Sequence, residues 1–395
     1  MTHPDPAEPR PGANGAPRGA SPAKSWLRRH RAKLFASLLI GGAFAWVLHA
    51  GALPLIPDDN AFSAVRWWTV PGYVAVWIVV HLIRAGRWHW LLAPIQRVPL
   101  RTILPVAFIG FAAIFLLPFR TGEAVRPVLM HRTGKVSGWA ATGTVAAERV
   151  IDGLCLSLLL FVALQMATPL DPLPNRIGEL PVPTAVIPGA VYGALTMFAA
   201  AFVVMGLFYW RRRWARSATL KVVGVVSPAL ARWLAERVET VADGLRFLPQ
   251  WRYAVPFTLA TLAYWLTNVG SAWLLAKGCG FDSISFTQAT VVLGVIGLGI
   301  LLPGAPGFFG AFQMGAYAGF AMYFAARDVI GAGAAFVFIA YVCQALITMI
   351  GAALSAALGR TNWREGLADQ PEELVSDAER PPDDVRPNLG RVSGR

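Results

Sequence analysis

Leu116-Leu117-Pro118-Phe119-Arg120-Thr121-Gly122-Glu123-Ala124-Val125-Arg126-Pro127 sets Arg120, Glu123 and Arg126 directly after the apolar run 104–118. Charge returns at Glu148, Arg149 and Asp152, where the next apolar run begins. Ionisable side chains at membrane depth are expensive, so they face a cavity or one another and mark a route for something polar.

Of 395 residues, 55% are hydrophobic and 14% are charged. Soluble domains carry about 25% charged residues, so the composition implies a polytopic, all-α membrane protein. The net charge of +13 is uneven. Segment 1–33 holds seven Lys/Arg against two acids, 211–252 nine against three, and the tail 360–395 six Arg against eight acids. Such basic clusters set orientation and meet anionic headgroups, which ranks nucleic acid as a poor second explanation. Cys155, Cys279 and Cys343 are far apart and lack a C-x-x-C, so neither a disulfide framework nor a zinc site is expected. The six histidines show no metal spacing, and no cofactor is expected.

Residues 1–30 read as a disordered basic arm, 31–358 as the transmembrane domain, and 359–395 as a disordered acidic cytoplasmic tail. Apolar segments fall near 34–53, 69–83, 103–118, 139–167, 183–210, 254–275, 286–302, 308–324 and 329–358. A helix crosses the bilayer with about 20 apolar residues, and 103–118, 286–302 and 308–324 are short and broken by Pro or Gly. If 103–118 crossed, Arg120, Arg126, Arg132 and Lys135 would lie outside, against the positive-inside rule. A re-entrant dip removes the conflict. The same bookkeeping makes 286–324 a second dip from the opposite face. The expectation is about six full spans plus two re-entrant broken helices of opposite orientation, with both termini cytoplasmic. Helical apolar spacing through Leu230, Trp233, Leu234, Val241 and Leu245 predicts a cytoplasmic amphipathic helix at about 217–250.

The two breaks resemble each other, Leu116-Leu117-Pro118 against Leu301-Leu302-Pro303, as paired interrupted helices of an inverted repeat do. The stretch Pro118 to Pro127 resembles the P-x-R-x-G-E-x-x-R element of the flippase-like integral membrane family named for the transmembrane region of lysylphosphatidylglycerol synthase. Ala147-Glu148-Arg149-Val150-Ile151-Asp152-Gly153 is similar to its E-R-x-x-D element. Pro303-Gly304-Ala305-Pro306-Gly307-Phe308-Phe309-Gly310-Ala311-Phe312 is similar to its second broken helix. The resemblance covers roughly 30–358. It implies a helical membrane fold with re-entrant helices that moves or binds lipids, often anionic or amphipathic ones. The synthases add a large soluble aminoacyltransferase domain, whereas this chain runs only about 37 residues past its last span; aminoacyl transfer is not expected. Many relatives carry an acid in the second broken helix where this chain has Gln313, which argues against proton coupling at that position.

The candidate substrate-binding residues are therefore Arg120, Gly122, Glu123, Arg126, Glu148, Arg149, Asp152, Pro303, Gly304, Pro306, Gly307 and Gln313. Guanidinium forks at Arg120 and Arg126 suit a phosphate. Glu123, three residues from each, can hold an arginine when no lipid is bound, and Arg149 with Asp152 makes an i,i+3 pair. The same residues also fit an ion network that only holds the broken helix in place. Arg84, Arg87, Trp88 and Trp90 read as an interfacial belt, and Asn268 and Gln344 as interhelical hydrogen-bonders. Walker A, G-x-S-x-G and Rossmann fingerprints are absent, so no enzymatic activity is expected. The sequence favours lipid translocation or binding in the cell (inner or plasma) membrane, with membrane lipids, anionic or phosphate-bearing, as partners. The alternatives are an accessory subunit presenting lipid to a separate lipid-modifying enzyme, and a membrane-embedded transferase using Glu123 or Glu148 as general base.

Overall fold

The computed structural model describes residues 22–181, 184–225, 227–301 and 305–358. The acidic tail, most of the basic arm, Pro303 and Gly304 lie outside the described residues. The described chain is helical: α1 (Pro22–Ala50), α2 (Asp59–Ser63), α3 (Thr69–Gly86), α4 (Trp88–Leu92), α5 (Leu100–Leu116), α6 (Val125–Arg132), α7 (Gly138–Met166) and α8 (Val186–Trp210). There follow α9 (Arg212–Gly224), α10 (Pro228–Asp243), α11 (Trp251–Gly278), α12 (Phe286–Leu301), α13 (Ala311–Ala321), α14 (Ala326–Ile330) and α15 (Ala332–Leu358). No strand occurs among the described residues, only one isolated bridge between Ile177 and Leu180.

Among the described residues, three helical stretches are long and apolar enough to cross a membrane: Thr69–Leu92, Val186–Trp210 and Ala326–Leu358. Shorter apolar helices occupy Leu38–Ala50, Leu100–Leu116 and Phe286–Leu301. The chain is a multi-pass helical membrane protein. α7 and α11, with 29 and 28 residues, are long enough to span but carry polar and charged side chains. Of these, Glu148, Arg149 and Asp152 of α7 and Thr261, Asn268 and Ser271 of α11 face the interior.

Both expected breaks are present. In the first, Leu117 is extended (φ −88°, ψ 138°), the conformation favoured before proline, and a 3-10 turn over Pro118–Ala124 leads into α6. Gly122 lets this turn lie on α5, for a Cβ there would sit 2.2 Å from the Ala113 carbonyl carbon. In the second, a 3-10 turn over Pro306–Phe308 separates α12 from α13, with Gly307 at φ 71° and Gly310 at φ 84°. Gly315 and Gly319, one helical turn apart on α13, then bring its backbone against Ile296 and Val292 of α12. Lipid tails are as apolar as side chains, so association here depends on such close approach of small residues.

The packing is interchanged when the first hairpin and the helix after it are exchanged for the second. α7 runs along α12 while α15 runs along α5; α6 meets α7 as α13 meets α15; α3 and α11 pack on each other. α1 touches both breaks, with Phe44 filling the space beside Gly310.

The amphipathic segment expected at about 217–250 is two helices. Ser227 divides them, its side chain accepting from the Leu230 N–H at 3.3 Å, with Pro228 as the first helical residue. α10 docks on α7 where Gly143 faces the Val241 carbonyl and Gly244 faces the Ala140 carbonyl. Trp233 meets Trp139 edge to face, ring centroids 5.0 Å apart.

Candidate functional site

The charged residues of α3, the first break and α7 converge into one buried network. Arg87, just past α3, is 1% exposed and forks onto Asp152, Nη1 to Oδ1 at 2.5 Å and Nη2 to Oδ2 at 2.6 Å. Its Nη1 also donates to the Thr261 hydroxyl at 2.8 Å and its Nη2 to Glu148 at 3.3 Å. The rings of Tyr264 and Phe257 flank it. A bidentate carboxylate, a hydroxyl and aromatic faces hold both terminal nitrogens of a guanidinium kept away from water, and only its Nε lacks a partner. The interfacial-belt expectation is corrected here: Arg87 is the hub of a network. Trp88 is equally buried, and its indole N–H donates to Thr144 at 2.9 Å.

Arg126 is fully buried, with its guanidinium 4.2 Å above the Trp88 ring and Nη2 2.9 Å from Glu148 Oε2. The N–H directions miss that oxygen, so the contact is ionic and not a directed hydrogen bond. Glu148, also fully buried, holds Arg126, Arg87 and Arg149 together. Arg149 additionally reaches Asp152 at 3.5 Å and Glu123 at 3.8 Å.

Arg120 joins the two breaks. Its Nη2 donates to Glu123 at 3.1 Å and its Nη1 to the Ile300 carbonyl at 3.4 Å, in the last turn of α12. Its guanidinium lies 5.7 Å from the centroid of Phe308 in the second break. Arg120 itself has φ 56° and Phe308 φ 57°, left-handed conformations rare outside glycine. Each break therefore stores backbone strain at the residue that touches the other break.

Beside the network lies a cavity of about 690 Å³. Arg120, Glu123, Arg149 and Asp152 line it. Arg126, Glu148, Gly122, Pro306, Gly307 and Gln313 do not. Arg126 and Glu148 are sealed behind the wall, Gly122 packs on α5, and Gly307 faces Tyr341 and Phe115. Gln313 closes a backbone turn, its Oε1 accepting from the Gly310 N–H at 2.7 Å. Arg126, expected to grip a headgroup, lies off the cavity wall and pairs with Glu148. The reason is direction: the side chain turns toward Trp88 and away from the cavity.

Arg84 was missed as a site residue. It lines the cavity with its guanidinium 4.2 Å above Phe111, and no carboxylate pairs with it among the described residues. Its Nε is buried without a hydrogen-bond partner. The stripe Tyr73, Trp77, His81, Arg84 on α3 is its sequence signal, since steps of three and four residues place all four on one face. Along α7 the cavity follows a stripe from Trp139 through Arg149 to Leu160, about 31 Å of helix, close to the hydrocarbon thickness of a bilayer. No group of three or more His, Cys, Asp or Glu suited to a metal occurs among the described residues.

Neither the curated proteins nor the solved structures include a match to this chain. A protein-family model, that of the lysylphosphatidylglycerol synthase TM region, matches residues 28–351, which takes in every helix that builds the network and the cavity. The chain belongs to that membrane lipid-related family.

Proposed function

We propose that this protein translocates or binds lipids, with an anionic headgroup held in the cavity by the arginine cluster. The observation that carries this reading is a charge imbalance. Arg84, Arg87, Arg120, Arg126 and Arg149 face Glu123, Glu148 and Asp152, leaving an excess of two positive charges around one cavity. Uncompensated charge in a low-dielectric interior is costly, and a phosphate on the cavity side offsets it. Arg84, Arg120 and Arg149 reach the cavity and are the proposed phosphate contacts. Arg87 and Arg126, with Glu148, set the wall behind them. The remaining walls, among them Leu156, Leu160, Phe198 and Leu293, suit acyl or prenyl chains.

In this reading the two broken hairpins are re-entrant elements dipping from opposite faces of the cell membrane, with both termini cytoplasmic. Their tips meet at Arg120 and Phe308, where strained backbone borders the cavity. Irregular backbone at membrane depth is tolerated where it lines such a cavity. The transferase alternative is disfavoured because Glu123 and Glu148, its candidate bases, are both committed to guanidinium groups.

The test is leaflet exchange of labelled lipids in proteoliposomes. Wild type is expected to speed exchange of anionic lipids, and Arg84→Gln to slow it by about tenfold or more, the worth of a charged hydrogen bond. No exchange of anionic, zwitterionic or polyprenyl lipids by folded protein would refute translocation and leave the accessory role.

A further inference from the structure

We propose that the cavity holds a second subsite, built from Asn268, Gln344 and Tyr73, for a hydroxyl-rich ring carried on the phosphate. The favoured ligand is then a lipid whose headgroup is a phosphodiester bearing a sugar or cyclitol. This rests on the reading of the arginine cluster as the anion site and specifies what is attached to the anion.

Past Arg84 the polar character of the wall continues but its charge stops. The α3 stripe from Arg84 to Tyr73 covers about 16 Å, and His81, Asn268, Ser271, Gln344 and Thr348 stand along it from three helices. Most of their hydrogen bonds are spent internally. Ser271 donates to the Asn268 carbonyl at 2.6 Å, Thr348 donates to the Gln344 carbonyl at 2.7 Å, and His81 Nε2 lies 3.1 Å from the Thr348 hydroxyl. Gln344 Nε2 donates to the Tyr73 hydroxyl at 3.0 Å.

What remains is specific. The Asn268 side chain is on the cavity wall, 5% exposed, and its amide has no hydrogen-bond partner among the described residues. Gln344 keeps its side-chain carbonyl oxygen free and Tyr73 its phenolic hydrogen. The Trp265 indole N–H, on the same wall, is buried and unpaired. The Trp265 N–H is sealed from water, while the Asn268 amide, the Gln344 oxygen and the Tyr73 hydroxyl stand on the cavity wall with bonding capacity left for a ligand there.

The chemistry of these groups selects the ligand. All are neutral and they include both donors and acceptors, which matches hydroxyls, each a donor and an acceptor at once. An acyl chain would leave them unsatisfied. An ammonium would meet the uncompensated positive charge of the cluster, and the faces of Phe111 and Tyr264 that would cradle it already carry Arg84 and Arg87. Trp77 and Trp265 present flat apolar faces against which a ring can lie.

The test uses the purified full chain in detergent. Native mass spectrometry would measure retention of phosphatidylinositol, a polyprenyl-phosphoryl hexose, phosphatidic acid and phosphatidylethanolamine. At least one ring-bearing lipid is expected to bind about tenfold tighter than phosphatidic acid, the worth of one or two neutral hydrogen bonds. Which of the two wins identifies the anchor as glycerolipid or polyprenyl. Asn268→Leu and the isosteric Tyr73→Phe should each remove most of that advantage while leaving phosphatidic acid within about twofold, whereas Arg84→Gln should weaken all the anionic lipids alike. Equal binding of ring-bearing lipids and phosphatidic acid, or preferential binding of phosphatidylethanolamine, overturns the second subsite. Retention of none of the anionic lipids overturns the anion site as well.

Discussion

Glu148→Gln takes one carboxylate from a cluster that already has too few. The side chain is fully buried and touches Arg126 at 2.9 Å and Arg87 at 3.3 Å, with Arg149 as a third partner. Its loss raises the excess from two positive charges to three, and Arg126 is left with no carboxylate at all. Removing one partner of a buried pair costs about 3–5 kcal/mol. At about 2–4 °C per kcal/mol for a domain of this general size, the melting temperature should fall by about 6–20 °C. Restoring the charge balance should rescue the fold. Arg126→Met combined with Glu148→Leu removes one charge of each sign and restores the original imbalance, and the thioether can lie on Trp88 where the guanidinium did. Arg87 and Arg149 keep Asp152 throughout. Scanning fluorimetry in detergent should show the single variant strongly destabilised and the double variant recovering more than half of the loss. Because Arg126 is off the cavity wall, the double variant should still exchange lipid. A single variant as stable as wild type, or a double variant no better than the single, would refute the charge argument.

Three further variants probe the supports of the site. Gly122→Val would place a Cβ 2.2 Å from the Ala113 carbonyl carbon and 2.3 Å from the Ile114 nitrogen, lifting the first break off α5; folded yield by size exclusion should fall sharply. Gly143→Ala would meet the Val241 carbonyl oxygen at 2.1 Å and loosen α10 from α7, so trypsin should cut the arginine-rich segment 211–252 faster than in wild type while cleavage elsewhere in the chain is unchanged. Gln313→Leu strands the Gly310 N–H, which should cost about 1–3 kcal/mol in thermal stability, and lipid exchange should persist because Gln313 is not on the cavity wall.

What the sequence made legible was local. Arg120 with Glu123, and Arg149 with Asp152, are i,i+3 pairs whose spacing announces them, and they are in contact at 3.1 Å and 3.5 Å. Both breaks are legible because proline removes a helix donor and fixes its own φ, while glycine alone readily takes the left-handed turn seen at Gly307 and Gly310. Arg87 was opaque for the opposite reason: its partners lie 61 and 65 residues away, and an arginine at the end of an apolar helix reads as a snorkelling anchor until the fold brings α7 beside it. The direction of Arg126 was equally hidden, since a short helix after a 3-10 turn has no fixed facing. Asn268 and Gln344 were read as interhelical bonders. Gln344 fits that reading through Tyr73, while Asn268 has no such partner among the described residues.

The scaffold is nearly symmetric in its contacts, yet its chemistry is not. α7 and α15 occupy equivalent places, each lying along the first arm of the opposite hairpin. α7 brings Glu148, Arg149 and Asp152 to the interior, whereas α15 brings Gln344 and Thr348. α3 and α11 form the other equivalent pair; α3 ends in Arg84 and Arg87, while α11 offers Asn268 and Ser271. One half thus supplies the charge of the network, and the other most of the neutral hydrogen-bonding groups, around a single cavity. A purely structural ion network would explain the first half but gives no reason for the unpaired Asn268 amide in the second, since most buried polar groups find a partner inside the fold. A ligand with a charged end and a neutral polar end accounts for both. Converting the neutral half to an apolar one should therefore abolish discrimination among anionic lipids while leaving the fold intact, an outcome that the structural reading alone does not produce.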